Sequence, residues 1–197
     1  MKENISEEEL AVLYADGNRD ALAELIKRCK TDLFGFLLGL TGRPDASDDI
    51  FQDVFLKFAE KPKLYKPKSK FRAWLFSVAR NSAMDYFRKM NVRREISLEH
   101  GSADDSPDFA GSPCSKLQDR KTLRPDLLFE NSRLARDISE ALASLPRKQR
   151  EIFYMRHYSG LSFKEISEML GEPVGTLLSR MSRAAAALRA ILEDEGY

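Results

Sequence analysis

Residues 162–181, SFKEISEMLGEPVGTLLSRM, decide the fold of the C-terminal part of the chain. Ser162 and Glu165 have the spacing of a capping box, which predicts that a short helix begins there. Gly171 and Pro173 then predict a tight break, and a longer helix with an apolar stripe follows them. A short helix, a turn that contains glycine and a longer helix are together typical of a helix-turn-helix.

The second helix of such a motif can lie in the major groove of DNA if its outer face is polar or basic near its start. Here that face offers Leu178, Ser179, Ser182 and Arg183, with Arg180 at its edge. The two arginines favour DNA binding, whereas the acidic residues of the same block weaken it. From this pattern alone, a helix pair that only packs against other helices remains an open alternative.

The segments upstream of this motif also have helical periodicity. Neither an alternating run of strand length nor a β-branched cluster interrupts them, so we predict an all-α fold. The predicted helices cover about residues 6–15, 20–41, 46–58, 71–90, 132–144 and 146–158.

Residues 91–130 have a different composition, with glycine, proline, serine and aspartate and little periodicity. Such a segment is too long for a loop inside a compact domain and is typical of a flexible linker. We therefore predict two small helical domains, residues 1–92 and 131–197, joined by a linker over residues 93–130.

The net charge of +1 over 197 residues conceals a strong asymmetry. Residues 61–94 hold 11 basic residues and one acidic residue, whereas residues 1–60 hold 7 basic and 13 acidic residues. A block this basic indicates a polyanionic partner. Because the acidic N-terminal block repels DNA, we expect the free chain to bind DNA weakly.

The basic block combines a lysine-rich loop with a helix. Arg72, Phe76, Arg80 and Phe87 share one strip of that helix, and interleaved arginines and aromatic rings suit strand-separated nucleic acid. Each unstacked base that rests on a ring contributes about 1–3 kcal/mol. For any single aromatic residue, packing in the core is the alternative.

An acidic strip lies on the helix before that block. Asp49, Gln52, Asp53 and Leu56 have the spacing of one helical face, where a leucine beside carboxylates suits docking of a basic partner helix. A solvated acidic face is the alternative.

Other features limit the function classes. The longest apolar run, residues 33–40, is too short to span a membrane, and the N-terminus lacks a signal-peptide pattern. Two distant cysteines favour neither zinc nor a disulfide and suit a reducing cytoplasm. The catalytic motifs of common enzymes are missing, and His100 and His157 are isolated. We expect no catalytic residue, metal, cofactor, small-molecule substrate or membrane association.

Taken together, these motifs resemble bacterial RNA polymerase sigma factors of the extracytoplasmic-function (ECF) group. DASDDIFQDVFLKF (45–58) and SKFRAWLFSVARNSAMDYFRK (69–89) resemble region 2 of that family. LPRKQREIFYMRHYSGLSFKEISEMLGEPVGTLLSRMSRAAAALR (145–189) resembles region 4. The resemblance implies a protein that binds core RNA polymerase, directs it to the −10 and −35 elements of promoter DNA and helps to open the duplex.

The resemblance also implies which residues do this. Polymerase contact falls to the acidic strip, Asp49, Gln52, Asp53 and Leu56. Recognition of the −10 element falls to Lys66, Lys68, Lys70, Arg72, Trp74, Arg80, Asn81 and Arg88. Recognition of the −35 element falls to Thr176, Leu178, Ser179, Arg180, Ser182 and Arg183. Many relatives carry a basic residue in place of Leu178, which could here contact a thymine methyl group. An anti-sigma factor is a common partner of relatives, but nothing in the sequence identifies one.

Two alternatives predict different behaviour. A two-domain transcriptional regulator with a helix-turn-helix would bind duplex DNA unaided and would not need the basic aromatic helix. A helical adaptor that binds polymerase without touching DNA would tolerate charge reversal of the lysine loop. A DNA-acting enzyme would need a catalytic cluster that the sequence does not offer.

Overall fold

A computed structural model describes residues 5–66, 70–99 and 133–194. These residues form eight α-helices and one short 3-10 helix, and they contain no β-strand, which confirms the all-α fold. The helices are α1 (Glu7–Ala15), α2 (Arg19–Thr41), α3 (Pro44–Glu60), the 3-10 helix (Pro62–Leu64), α4 (Phe71–Glu99), α5 (Arg133–Ser144), α6 (Arg147–Ser159), α7 (Phe163–Leu170) and α8 (Val174–Asp194). None of these helices is both long and apolar enough to cross a membrane.

Both predicted capping boxes are present. Ser6 Oγ accepts the Glu9 backbone N–H, and the Glu9 carboxylate accepts the Ser6 N–H at 2.8 Å. Ser162 and Glu165 repeat this arrangement at the start of α7. Gly171 ends α7 with φ of +67°, a left-handed conformation that favours glycine and turns the chain toward α8.

The helix α4 is longer than predicted. It continues to Glu99, through the first seven residues of the segment predicted to be a linker. The sequence after Met90, NVRREISLE, has neither glycine nor proline to end a helix. Residues 100–132, which include the rest of the predicted linker and Cys114, lie outside the described residues.

The N-terminal half, α1 to α4, packs around an aromatic core. Phe36, Phe58, Phe71 and Phe76 are completely buried. The Phe71 ring lies 5.3 Å from both Phe58 and Tyr65, each close to edge-to-face, which is a favourable geometry for aromatic pairs. This core gives α3 and α4 a fixed orientation, so their outer faces are defined surfaces.

The C-terminal half, α5 to α8, contains the helix-turn-helix. Ala141, Leu142 and Leu145 pack against Ala184 and Leu188 of α8 and hold α5 across it. The α6 helix contacts both α7 and α8, the two helices of the motif, and these two also contact each other.

The two halves pack closely against each other, which the sequence analysis did not predict. Ile152, Met155 and Leu161 from the C-terminal half belong to the same buried cluster as the core of the N-terminal half. The α6 helix lies along α2, where it meets two glycines inside that helix, Gly35 and Gly39. A glycine inside a helix costs about 0.5–1 kcal/mol relative to alanine, so this close approach uses positions that are unfavourable for α2 alone.

Candidate polymerase and nucleic-acid interfaces

The acidic strip forms one outer face of α3. Asp49, Gln52 and Asp53 are exposed, and Leu56 keeps 57% of its surface accessible. The opposite face of the helix is buried through Ile50, Val54 and Phe58. The structure therefore brings the four predicted residues together beside one another and leaves an exposed leucine among carboxylates.

The lysine-rich loop leads into α4. Lys66 is exposed, and Lys68 lies outside the described residues. The Lys70 ammonium lies 2.7 Å from the Glu165 carboxylate of α7. That contact raises the pKa of Lys70 and, together with the hydrogen bonds from Ser162, lowers the pKa of Glu165 to about 2.

Arg72 lies in the packing between helices. Its guanidinium donates to Glu7 of α1 at 3.0 Å and to Asp32 of α2 at 2.9 Å. It also approaches the Tyr158 carbonyl of α6 at 3.5 Å. Burial acts to lower the pKa of Arg72, but the carboxylates of Asp32 and Glu7 outweigh burial and raise it. Arg72 thus joins four helices.

Arg80 also contacts the C-terminal half. Its guanidinium donates a hydrogen bond to Glu151 of α6, whose side chain is only 6% exposed. A buried carboxylate needs a charged partner, and Arg80 is the partner that the fold provides.

A polar cleft of about 570 Å³ opens beside this ion pair. Its walls carry Arg80, Asn81 and Arg88 of α4, and Arg147 of α6 lies at its border. The Arg147 guanidinium sits 5.8 Å from the Phe87 ring centre. Three of the residues predicted to bind the −10 element therefore meet in one cleft, together with a cation from the other half of the chain.

The aromatic residues of α4 divide into two groups. Phe76, expected on the strip for bases, is completely buried, so core packing is the correct interpretation for it. Trp74 and Phe87 are half-buried. The Trp74 ring lies 5.4 Å from Phe58 and 6.1 Å from Tyr65, at the edge of the aromatic core. Of these two rings, Phe87 lines the cleft, whereas Trp74 reaches the surface nearer the start of α4.

The helix-turn-helix presents its predicted face to solvent. Ser179, Ser182 and Arg183 are exposed on α8, and Leu178 keeps 48% of its surface accessible. Thr176 lies half-buried in the first turn of α8.

Arg180 differs from Arg183. Its guanidinium contacts the Glu172 carboxylate in the turn, and its side chain is only 17% exposed. Arg180 thus fixes the turn between α7 and α8, while Arg183 projects outward from α8.

Sequence reasoning missed the carboxylates that pair with Arg72 and Arg80 of α4 and with Lys70 just before it. Asp32, Glu151 and Glu165 lie on other helices, 40 to 95 positions from their partners along the chain. No local pattern signals such pairs. Two glycines four positions apart in a long helix, and two tyrosines four positions apart in another, are the only local hint that α2 and α6 meet.

Potential reactive and metal-binding groups are scarce in the described parts of the chain. Burial raises the pKa of the Cys29 thiol to about 12, which makes it unreactive. The described residues contain no group of three histidine, cysteine or carboxylate side chains that could hold a metal ion. His100 and Cys114 lie outside the described residues.

Each half of the chain matches a known protein family. The family described as Sigma-70 region 2 matches residues 25–93, and the family described as Sigma-70, region 4 matches residues 135–188. These two regions in this order define a sigma factor of the sigma-70 class.

Curated relatives identify the group within that class. The ECF RNA polymerase sigma factor EcfG of Rhodopseudomonas palustris is 31% identical over 90% of this chain and 88% of the relative. The ECF RNA polymerase sigma factor SigL of Mycobacterium tuberculosis is 32% identical over 83% of this chain and 84% of the relative. The chain belongs to the ECF RNA polymerase sigma factors.

Two solved structures have a similar fold. One is CnrH in complex with the cytosolic domain of CnrY, with a TM-score of 0.66 and 23% identity over 96% of this chain and 99% of that one. The other is the sigma factor RpoE in complex with the anti-sigma factor NepR from Bartonella quintana. Its TM-score is 0.63 and its identity 26%, over 87% of this chain and 96% of that one.

Proposed function

We propose that this sigma factor contacts core RNA polymerase through α3, the −10 element through α4 and its preceding loop, and the −35 element through α8. The observation that carries this proposal is that three surfaces of different chemistry lie on separate helices of one chain. An acidic strip lies on α3, a cationic cleft on α4 and a polar face with the exposed Arg183 on α8.

The α3 surface suits a basic helical partner. Three polar or acidic side chains and Leu56 lie on one exposed face, which the buried opposite face holds in place. Charges at the rim of an interface guide association, while an exposed leucine supplies apolar contact that a solvated acidic face would not need. We assign Asp49, Gln52, Asp53 and Leu56 to polymerase binding.

The α4 surface suits opened DNA. The cleft between Arg80, Asn81 and Arg88 offers guanidinium groups for phosphates and an amide for base edges. The half-buried Phe87 lines this cleft, and the half-buried Trp74 offers a second ring nearer the start of α4. An unstacked base gains contacts on such a surface that it cannot gain inside a duplex.

The α8 surface suits the major groove. A helix with exposed serines can donate to and accept from base edges, and Arg183 can hold a backbone phosphate. Leu178 places an apolar group where it can meet a thymine methyl. Thr176 and Arg180 lie at the start of this face, where they position the helix.

The proposal also includes the role of the protein, its cellular compartment and its partners. The protein works as an initiation factor and not as an enzyme, in the cytoplasm with polymerase and promoter DNA as its partners. RpoE of Bartonella quintana, 26% identical, is solved with an anti-sigma factor, which supports a regulator of that kind for this chain as well.

Transcription in vitro tests the proposal. Core RNA polymerase, purified from the source bacterium and free of other sigma factors, is incubated with genomic fragments, with and without the chain. We expect new run-off transcripts that start at defined positions only when the chain is present. Transcripts that do not change would reject the proposal. Tight binding of the isolated chain to duplex promoters would instead favour a helix-turn-helix regulator.

A further inference from the structure

The first helix, α1, lies outside the segment that matches Sigma-70 region 2, which begins at residue 25. Its side chains nevertheless bind the chain on both sides of the lysine-rich loop, residues 61–70. We propose that Glu8 of α1 is a positioning residue for −10 recognition, because it holds the start of α4 and the end of this loop in place for DNA. This inference rests on the function proposed above for α4.

Glu8 supplies a cap for α4 from another helix. The backbone N–H of Phe71, the first residue of α4, donates to the Glu8 carboxylate at 2.9 Å. The first N–H groups of a helix have no partner within that helix, and a carboxylate there also meets the positive end of the helix dipole. Lys70, which directly precedes α4, has a side chain that cannot accept a hydrogen bond. Glu8, 63 positions away along the chain, provides the acceptor instead.

Glu7, the neighbour of Glu8, binds the next residue of α4. Arg72 Nε lies 3.0 Å from Glu7 Oε2, and the two side chains are only 26% and 17% exposed. Salt screens such a shielded pair less than it screens a pair in open solvent. Two successive carboxylates of α1 therefore anchor two successive residues of α4.

The other end of the loop is bound to the same helix. The Tyr14 hydroxyl of α1 donates to the Ala59 carbonyl in the last turn of α3, at 3.1 Å. Within the loop, Tyr65 is buried, and its ring lies 5.3 Å from the ring of Phe71. All of these contacts lie inside the N-terminal half, so they do not depend on where the C-terminal half is.

Anchored ends matter because binding restricts the groups that meet DNA. A loop whose ends are already fixed loses less conformational freedom when DNA binds. Trp74, one turn into α4, would move with the start of that helix. Polymerase binding by the exposed acidic strip of α3 does not need the start of α4 in place. The positioning role therefore predicts a loss of DNA opening at an unchanged affinity for core polymerase.

The sign of the effect separates positioning from bulk charge. Removal of a carboxylate makes the N-terminal half less acidic, which by itself favours DNA binding. Positioning predicts the opposite result for Glu8→Ala. The matched control is Glu9→Ala, which removes the same charge one residue away, where Glu9 is exposed and bonds to Ser6 of its own capping box. That control also reports any general loss of stability in α1.

The first measurement uses the full free chain. Hydrogen exchange followed by nuclear magnetic resonance reports the protection of the Phe71 amide. We expect about fivefold faster exchange in Glu8→Ala, the usual effect of a lost helix cap, and wild-type exchange in Glu9→Ala. Trp74 is the single tryptophan of the chain, so its fluorescence emission reports the packing of the first turns of α4. We expect this emission to shift in Glu8→Ala only.

The second measurement uses holoenzyme assembled from core RNA polymerase and each full-length variant. Permanganate reactivity of thymines counts open complexes at a promoter that the run-off assay has mapped. We expect about fivefold fewer open complexes with Glu8→Ala, with core polymerase bound as tightly as by the wild-type chain. Glu8→Gln removes the same charge but keeps an acceptor oxygen, so it should restore most of the opening. This rescue protects the test against misfolding of Glu8→Ala.

The outcomes separate this role from the proposed function. Equal opening by Glu8→Ala and the wild-type chain, or an equal loss in Glu9→Ala, overturns the positioning role. A Glu8→Gln variant as defective as Glu8→Ala, or a parallel loss of polymerase binding, overturns it as well.

The run-off assay with the wild-type chain is scored independently. If it gives new transcripts while Glu8→Ala opens DNA normally, the sigma-factor function stands and the positioning role is rejected. If it gives none, the proposed function fails and the role in −10 recognition fails with it, even where the Phe71 amide exchanges faster in Glu8→Ala.

Discussion

The Tyr158 ring of α6 lies against the backbone of Gly35 in α2, where a Cβ would stand 2.5 Å from Tyr158 Cε1. One turn along each helix, Tyr154 and Gly39 repeat the contact. The α2 helix therefore supports the core of the N-terminal half on one side and accepts the C-terminal half on another. A residue larger than glycine at either position forces the two helices apart or displaces the ring.

Tyr154 reports this contact through its ionisation. Burial, together with the nearby Tyr158, raises the pKa of Tyr154 to about 12. We expect Gly39→Ala to expose the ring and lower the pKa of Tyr154 toward the ordinary value of about 10. Ultraviolet absorbance of tyrosinate during a pH titration measures this pKa. The Tyr154→Phe variant shows which of the six tyrosines has the shifted pKa.

The sign of the pH effect follows from the same pKa. Docked Tyr154 stays neutral, so its contribution to docking is present below pH 10 and is lost as the pH rises from 10 toward 12. An unchanged pKa of Tyr154 in Gly39→Ala would mean that the burial of this ring does not depend on the glycine at position 39.

The Lys70–Glu165 pair should lose its stabilising effect at low pH, whereas Tyr154 loses its effect at high pH. The pKa of Glu165 is lowered from 4.5 to about 2, first by the hydrogen bond from Lys70. The stability that the pair adds is therefore present above pH 4.5 and is lost as the pH falls toward 2. We expect the denaturation midpoints of the wild-type chain and Glu165→Gln to differ at pH 7 and to converge near pH 2.

A second variant separates the ion pair from the helix cap. Ser162→Ala removes the cap of α7 and should cost about 1 kcal/mol of stability, with the Lys70 pair still formed. Equal pH profiles for Glu165→Gln and the wild-type chain would show that Lys70 contributes nothing measurable.

Charge reversal on the acidic strip should weaken polymerase binding. Asp53 is exposed on α3, so Asp53→Lys should leave the fold intact. We expect roughly tenfold weaker binding to core polymerase, which corresponds to about 1.4 kcal/mol. Surface plasmon resonance on immobilised polymerase measures it.

The control for that experiment is Asp16→Lys, the same reversal at an exposed position outside the strip. A similar loss in both variants would point to the overall charge of the N-terminal half. Wild-type affinity in Asp53→Lys would remove the strip from the interface.

The α8 arginines should behave differently from each other. Arg183 is exposed, so Arg183→Ala should weaken −35 binding across all sequences and reduce the salt slope by about one. Arg180 is held by Glu172, so Arg180→Ala should act mainly on the turn and lower the melting temperature. Holoenzyme binding to promoters at several salt concentrations, beside thermal unfolding, distinguishes the two.

Base preference should depend on the neighbouring Leu178. Its exposed side chain can contact a thymine methyl, so Leu178→Lys should change which −35 sequences are selected from a randomised promoter library. Ser179→Ala should change the preference at a different position. Identical selected sequences for Leu178→Lys and the wild-type holoenzyme would place Leu178 away from the bases.

Local patterns in the sequence predicted most of the fold. The capping boxes at Ser6 and Ser162 each involve two residues three positions apart, so they can be predicted without knowing how the rest of the chain packs. The acidic strip follows from helical periodicity alone, and α3 presents it as predicted. The all-α fold and the helix-turn-helix follow in the same way.

Contacts between helices far apart in the sequence could not be predicted from local patterns. Phe76 fits the basic aromatic strip by periodicity, yet the core of the N-terminal half buries it completely. Arg80 looks available to DNA until Glu151 of α6 is found beside it. Which side of a helix another helix covers depends on tertiary packing, and here α6 packs on the side of α2 that carries Gly35 and Gly39.

Permanganate footprinting measures directly whether the chain and core polymerase open promoter DNA, because permanganate oxidises thymines that have left the base stack. Core polymerase, the chain and a fragment that carries one of its transcription starts are mixed and probed. We predict reactive thymines just upstream of the start only when both proteins are present, and fewer of them when the cleft residues Asn81 and Arg88 are replaced by alanine. Promoter DNA that stays fully paired in the complete mixture would contradict it.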